Sequence, residues 1–172
     1  IAMIGGGLAG LASSIQLAKK GHTVILFEKE KYPFHKVCGE YISMESWNFL
    51  KRLGLPLEEM NLPVIDTLLL TAPNGKSFTT RLPLGGFGIS RYKLDSLLAA
   101  IAKQNGVHVI EEAKIDDVGF NDNFQIVFQS KKITAKVCCS AYGKRSNLDV
   151  KWKRSFLDAT DKRLDNYIGV KY

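Results

Sequence analysis

Ile1 to Ile4 is a short, uninterrupted apolar run, the pattern of a strand buried on both faces. It opens directly onto Gly5-Gly6-Gly7-Leu8-Ala9-Gly10. Leu8, Leu11, Ala12, Ile15, Leu17 and Ala18 then recur at helical spacing, and Lys19, Lys20 and Gly21 supply a basic last turn and a stop. Thr23 to Phe27 is a β-branched and aromatic run that ends at Glu28. The first 28 residues therefore predict a β-α-β unit.

Beyond Glu28 the pattern stops repeating. Lys31-Tyr32-Pro33-Phe34-His35-Lys36-Val37-Cys38-Gly39-Glu40 reads as a loop from its Pro, Gly and charges. Ser43 to Leu53 reads as a helix capped by Ser43 and stopped at Gly54. Ile65 to Thr71 and Ser77 to Leu82 predict a hairpin about Pro73-Asn74-Gly75-Lys76. Gly88-Ile89-Ser90-Arg91 leads into a helix over Leu94 to Gln104, with Leu94, Leu97, Leu98 and Ile101 on one face. Val107 to Ile110 resumes the buried-strand pattern. Ile115 to Phe120, Phe124 to Phe128 and Lys132 to Thr134 form a predicted antiparallel meander, after which Val137 to Ala141 returns to Tyr142-Gly143-Lys144-Arg145-Ser146. The expected fold is three-layer α/β: a parallel sheet with helices on one face and the antiparallel β-meander on the other.

Composition narrows the class. With 172 residues, 45% of them apolar and 24% charged, the chain supports one sizeable core and is neither disordered nor membrane-spanning, since no apolar stretch approaches about 20 residues. The net charge of +7 sits at one end: residues 1–130 hold 13 basic and 13 acidic side chains, residues 131–172 hold 11 and 4. Those lysines and arginines are spread through patterned sequence without a nucleic-acid-binding motif, so no nucleic acid is expected. Three cysteines, Cys38, Cys138 and Cys139, lack paired spacing and imply neither disulfides nor zinc, which points to a reducing cytoplasm. His22, His35 and His108 likewise show no metal-ligand spacing, and Ser13, Ser14 and Ser90 stand in no G-x-S-x-G elbow. No basic segment precedes the opening apolar run, and Ile1 falls mid-strand, so a few residues are expected to precede it.

The chemistry lies in the opening unit. Gly5, Gly7 and Gly10 satisfy G-x-G-x-x-G: the first permits the tight turn, the second lets backbone approach a pyrophosphate, the third lets the helix lie close to the sheet. The helix N-terminus then turns unpaired N–H groups toward the phosphates. Glu28, 18 positions after Gly10, ends the second strand where a carboxylate accepts ribose hydroxyls and repels a 2′-phosphate. FAD or NAD is the expected ligand rather than NADP. Arg91 is a cation at a helix start, opposing the dipole and so inviting an anionic partner. Trp47, Phe49 and Trp152 are expected in the core, as are Cys138 and Cys139 on opposite faces of their strand.

Four segments together carry a resemblance: Gly5–Gly10 through Glu28, Lys36-Val37-Cys38-Gly39-Glu40, Ser90-Arg91-Tyr92-Lys93-Leu94-Asp95, and Ala141-Tyr142-Gly143-Lys144-Arg145-Ser146. In order and spacing the chain resembles the FAD-dependent oxidoreductases of the geranylgeranyl reductase-like and aromatic-hydroxylase-like group. The resemblance implies a Rossmann-like FAD-binding domain over residues 1–150, incomplete, with a hairpin excursion at about 60–90 toward a substrate region. Residues 151–172 would be a linker and the start of a substrate domain, with Asn166 to Tyr172 entering a strand. It implies that Gly5, Gly7, Leu8, Ala9 and Gly10 hold the pyrophosphate, with Glu28 and Lys29 at the adenosine ribose. Cys38 and Gly39 would lie near the flavin ring and Arg91 at the phosphate and ribityl region. Lys114 and Ile115 would edge the adenine, with Gly143 and Ser146 at a second nucleotide fingerprint. Cys38 and His35 are the candidate catalytic side chains.

Two departures stand out. Tyr142-Gly143 replaces the group's usual Asp-Gly, and no Gly-Asp dipeptide occurs anywhere to close over the ribityl phosphate. Members of the group are roughly twice this long, so the chain is expected to be part of one. The implied activity is flavin-dependent oxidoreduction of reductase or monooxygenase type, with a nicotinamide as transient electron donor and a small hydrophobic substrate. An NAD-dependent dehydrogenase, or a non-catalytic binding module using the basic C-terminal region, are the alternatives.

Overall fold

The computed structural model describes residues 1–144 and 146–155. A four-stranded parallel sheet in the order β10-β1-β2-β6 organises the chain, with β1 at Ala2–Ile4, β2 at Ile25–Phe27, β6 at His108–Ile110 and β10 at Cys138–Ser140. Ala2 faces Ile25 on one side and Cys138 on the other, so β1 is central and holds both ends of the fold together.

Alternation along each strand divides the core in two. Met3 and Leu26 point to the helical layer, packing with Leu11 and Ile15 of α1 (Leu8–Lys19), Leu50 and Leu53 of α2 (Trp47–Leu53) and Leu94 and Leu98 of α3 (Arg91–Gln104). Ala2, Ile4 and Phe27 point the other way, onto Val118 of β7 (Asp117–Asn121) and Ile126 and Phe128 of β8 (Asn123–Phe128), which with β9 (Lys131–Ala135) make the meander. The Phe27 and Phe128 rings meet at 4.9 Å. Cys138 belongs to the meander side and Cys139 to the helical side, while Trp47 and Phe49 pack on the helical core and Trp152 on the other. This is the three-layer arrangement the sequence predicts.

The excursion after β2 forms a separate antiparallel sheet, β3-β5-β4, with β3 at Tyr41–Ser43, β4 at Val64–Thr71 and β5 at Ser77–Gly88. Here the structure corrects two expectations. Ser43 does not cap a helix: it pairs with Gly86 at the end of β3, a 3-10 turn over Met44–Ser46 intervenes, and no side-chain cap bond forms. The hairpin strand does not stop at Leu82, because Gly86 to Gly88 continue the strand to receive β3 on its free side. The turn is a three-residue loop, Pro73-Asn74-Gly75, closed by the Ala72 N–H donating to Lys76 O, with Gly75 at φ +80°.

At the C-terminal side β10 leads to a short helix, α4, over Asn147–Lys151. Arg145 and the expected strand at Asn166 to Tyr172 lie outside the described residues, as does most of the region assigned to a second domain. Among the described residues no helix is long and apolar enough to cross a membrane.

Candidate functional site: the dinucleotide cavity

The turn from β1 into α1 is tight enough to exclude side chains. Gly5 sits at φ +103°, and a Cβ there would fall 2.5 Å from Ala141 O. A Cβ on Gly10 would lie 1.9 Å from Gly5 O, so α1 can start this close to the sheet only without one. Gly7 is the N-cap and supplies no capping bond, and the first turn holds no acid. The first-turn N–H groups of Leu8, Ala9 and Gly10 therefore meet no capping side chain.

Glu28 closes the turn from the other side. Its carboxylate is buried, with Oε2 accepting the Gly6 N–H at 2.8 Å and Oε1 accepting the Glu30 N–H at 3.1 Å. Each oxygen keeps a further lone pair. Tyr32 stacks on this arrangement: its hydroxyl donates to Gly6 O and its N–H donates to Glu111 Oε2 at 2.8 Å. Burial first, then the charges of Glu28, Asp95 and Glu111, hold its phenol well above the ordinary tyrosine range.

In front of this turn lies a cavity of about 750 Å³. Of the sequence-predicted residues it brings together Gly5, Gly7, Glu28, Lys29, Arg91, Lys114, Ile115, Gly143 and Ser146. Leu8, Gly10, Cys38 and Gly39 are not in its lining, and Ala9 lines a second groove between α1 and β10. Cys38 stands beside the Arg91 guanidinium. His35 is exposed with its ring 4.6 Å from that of Tyr92, away from the cavity lining. Ser146 spends its hydroxyl on the Leu148 N–H at 3.1 Å, capping α4. Tyr142, standing where an acid was expected, donates its hydroxyl to the buried Asp149 at 2.7 Å. No group of acids, cysteines and histidines among the described residues could hold a metal ion.

Sequence reasoning did not assign Lys36, Val37, Lys144 or Asp95 to this site. Lys36 lines the cavity as a cation, and its Nζ lies 3.6 Å from where a Gly7 Cβ would be; Val37 lines it next door. Asp95 is the anionic partner that Arg91 invites: its oxygens accept Nε and Nη2 of Arg91, each at 2.8 Å. The i,i+4 spacing of Arg91 and Asp95 carried that signal. The hydrogen bond to Asp95 is the main reason the guanidinium is held above its ordinary value. Among the described residues the lining has five cations, Lys29, Lys36, Arg91, Lys114 and Lys144, against one acid, Glu28. Such a cavity attracts a polyanion.

Comparison with known proteins agrees. A family model described as an NAD(P)-binding Rossmann-like domain matches residues 3–37. The chain is 26% identical over 140 residues to conditioned medium factor receptor 1 of Dictyostelium discoideum, covering 70% of this chain and 26% of that protein. It is 36% identical over 124 residues to the methylenetetrahydrofolate–tRNA-(uracil-5-)-methyltransferase TrmFO of Lactobacillus gasseri, covering 65% and 26%. With the flavin-dependent halogenase armH3 of Armillaria mellea it shares 27% identity over 129 residues, covering 70% and 25%. The solved structure of the myxobacterial chondrochloren halogenase CndH, described as a variant of FAD-dependent halogenases, shares the fold with a TM-score of 0.72 at 21% identity, covering 87% and 38%. The chain is thus similar to flavin-dependent halogenases in sequence and in fold, and it carries a Rossmann-like dinucleotide-binding unit. It spans about a quarter of the length of the curated relatives it matches.

Proposed function

We propose that this chain binds FAD along the cavity and is the cofactor-holding part of a flavin-dependent oxidoreductase. The observation that carries this reading is the convergence at Gly7: a bare helix N-terminus faced by Lys36 and Arg91, with a buried carboxylate, Glu28, one strand away. These residues fit the group. The pyrophosphate would lie at Gly7 between the two cations, and the adenosine would run toward Glu28, Lys29, Lys114 and Ile115, where Glu28 has lone pairs left for ribose hydroxyls. The flavin end would reach the side of Cys38 and Gly39, with Gly143 and Ser146 at the opposite lip.

When bound, FAD supplies the redox chemistry, accepting electrons from a donor such as a nicotinamide and delivering them to substrate or oxygen. The protein's task is to bind and orient. Arg91 and Lys36 neutralise phosphate charge, Tyr32 and Glu28 fix the turn, and the Leu8, Ala9 and Gly10 N–H groups receive phosphate oxygens. The acceptor is a small, apolar molecule that is reduced, hydroxylated or halogenated. Support for its apolar character comes from Leu69, Leu70, Phe78 and Leu84, all exposed on the β4–β5 ribbon. Residues 1–150 act as the FAD-binding domain, and residues 151–172 lead toward a substrate domain. Three free cysteines fit a reducing compartment such as the cytoplasm.

The visible absorption spectrum of the purified chain before and after adding FAD tests this, with identification of nucleotide released on denaturation. Oxidised-flavin bands that shift on binding are the expected result. The family model that matches residues 3–37 favours one competitor, an NAD-binding dehydrogenase. A colourless chain that ignores FAD and binds NAD would establish that reading instead.

A further inference from the structure

We propose that Asp95 is a positioning residue for phosphate recognition, a buried carboxylate that holds Arg91 and Lys36 together over Gly7; this rests on the reading of the cavity as a dinucleotide site. Asp95 is 1% exposed. Both of its oxygens accept from Arg91 at 2.8 Å, and Lys36 Nζ lies 3.6 Å from Oδ2. The two cations come from different parts of the chain, one from the loop after β2 and the other from the first turn of α3. Yet both reach the same spot: a Cβ on Gly7 would lie 3.6 Å from Lys36 Nζ and 3.9 Å from Arg91 Nη2.

Two cations at such range repel, and long basic side chains without an anchor spread into solvent. Burying a carboxylate is costly, and for stability alone an apolar residue of similar volume serves as well or better. What Asp95 provides beyond stability is geometry. It takes the Nε–H and one Nη2–H of Arg91 and so sets the remaining guanidinium N–H groups, beside Cys38, in a fixed fork. It also draws Lys36, whose stem is held by its ammonium lying 4.6 Å from the Phe34 ring centroid, to the same side.

This assignment and simple electrostatics predict opposite signs. By Coulomb attraction alone, removing a negative charge behind two cations strengthens anion binding. By positioning, it weakens it. Calorimetric titration of the chain with ADP and with adenosine separates them. Asp95→Asn keeps the volume and loses the charge; ADP affinity should fall about tenfold while adenosine affinity holds within twofold. Unchanged or tighter ADP binding, or an equal loss for adenosine and ADP, overturns the assignment. If Asp95→Asn does not fold, Arg91→Lys decides: it keeps the charge but not the fork, so ADP affinity should fall selectively, and a wild-type value overturns the proposal. A wild-type chain that binds neither ADP nor FAD overturns the dinucleotide reading and this assignment with it. ADP binding by the wild type with no selective loss in the variants overturns this assignment alone.

Discussion

Glu28 accepts the backbone N–H of Gly6 at 2.8 Å, so the end of β2 is tied to the turn that leaves β1 by a charged, buried hydrogen bond. A second bond, from the Glu30 N–H, loads the other oxygen. The residue expected to read a ribose is thus also part of the scaffold, and the two roles can be measured separately.

Glu28→Gln replaces one acceptor oxygen with an amide NH₂, which confronts one of those N–H donors and leaves it unsatisfied. The expected loss is about 1–3 kcal/mol, a fall of several degrees in melting temperature for a chain of this size. Thermal unfolding without nucleotide measures it. An unchanged melting temperature would show that the carboxylate does not hold the turn in solution.

The glycines of the turn should separate folding from binding. Gly10→Ala places a methyl 1.9 Å from Gly5 O, and the helix must shift from the sheet, at a cost of about 1–3 kcal/mol or more. Gly7→Ala meets only the tips of Lys36 and Arg91, at 3.6 and 3.9 Å, and should lower stability by less than about 1 kcal/mol. On the proposed reading its methyl would occupy the place of a phosphate. Calorimetric unfolding beside FAD titration should find Gly10→Ala unstable and Gly7→Ala folded but weak in binding; the reverse order would contradict the geometry.

Glu111 sets an acid limit. Burial pushes its carboxyl up, but the hydrogen bonds from Lys103 Nζ, at 2.6 Å, and from the Tyr32 N–H outweigh that and hold it below the ordinary glutamate range. A carboxyl with a lower value in the folded state contributes stability above its unfolded value, near 4.5, and loses it as pH falls through the folded one. The Lys103 side chain is half exposed, so the contribution is less than about 1 kcal/mol. Denaturant titrations at pH 7 and pH 3 should show Glu111→Gln less stable than wild type at the first and equal to it at the second. A constant difference would remove Glu111 as the cause.

Cys138 should be the slowest thiol to react. Burial, helped by the neighbouring Cys139, pushes it up to about 11, so at pH 8 roughly one molecule in a thousand carries the thiolate. Alkylation with iodoacetamide followed by peptide mass spectrometry should find Cys138 modified at least about tenfold more slowly than Cys38. Equal rates would mean that the meander opens readily.

The β-α-β unit was legible because each of its signals is local: an apolar strand, glycines at fixed offsets, a helical apolar face and an acid at the next strand's end. Even the three-layer arrangement followed from strand patterns alone. Ser43 failed because a capping residue and a strand-end residue look alike until the pairing with Gly86 is known. The predicted strand end at Leu82 failed for the same reason, since only the pairing with β3 shows that Gly86 to Gly88 continue the strand. Lys36 and Val37 could not be placed at the cavity from sequence, since their loop is fixed by long-range bonds such as Tyr32 to Glu111, 79 residues away. Asp95 differs: its i,i+4 spacing from Arg91 is visible in the sequence, and the anion that Arg91 invites lies inside the chain.

The central place of β1 has a consequence for how the chain is made. Gly5 packs on Ala141, and Ala2 pairs with Cys138, so the walls of the phosphate turn are emitted from the ribosome more than 130 residues apart. Until β10 emerges, β1 has a neighbour on one side only and Gly10 has no Ala141 to pack against. The cavity is thus complete only once β10 has emerged, more than 130 residues after the glycine turn that announces it.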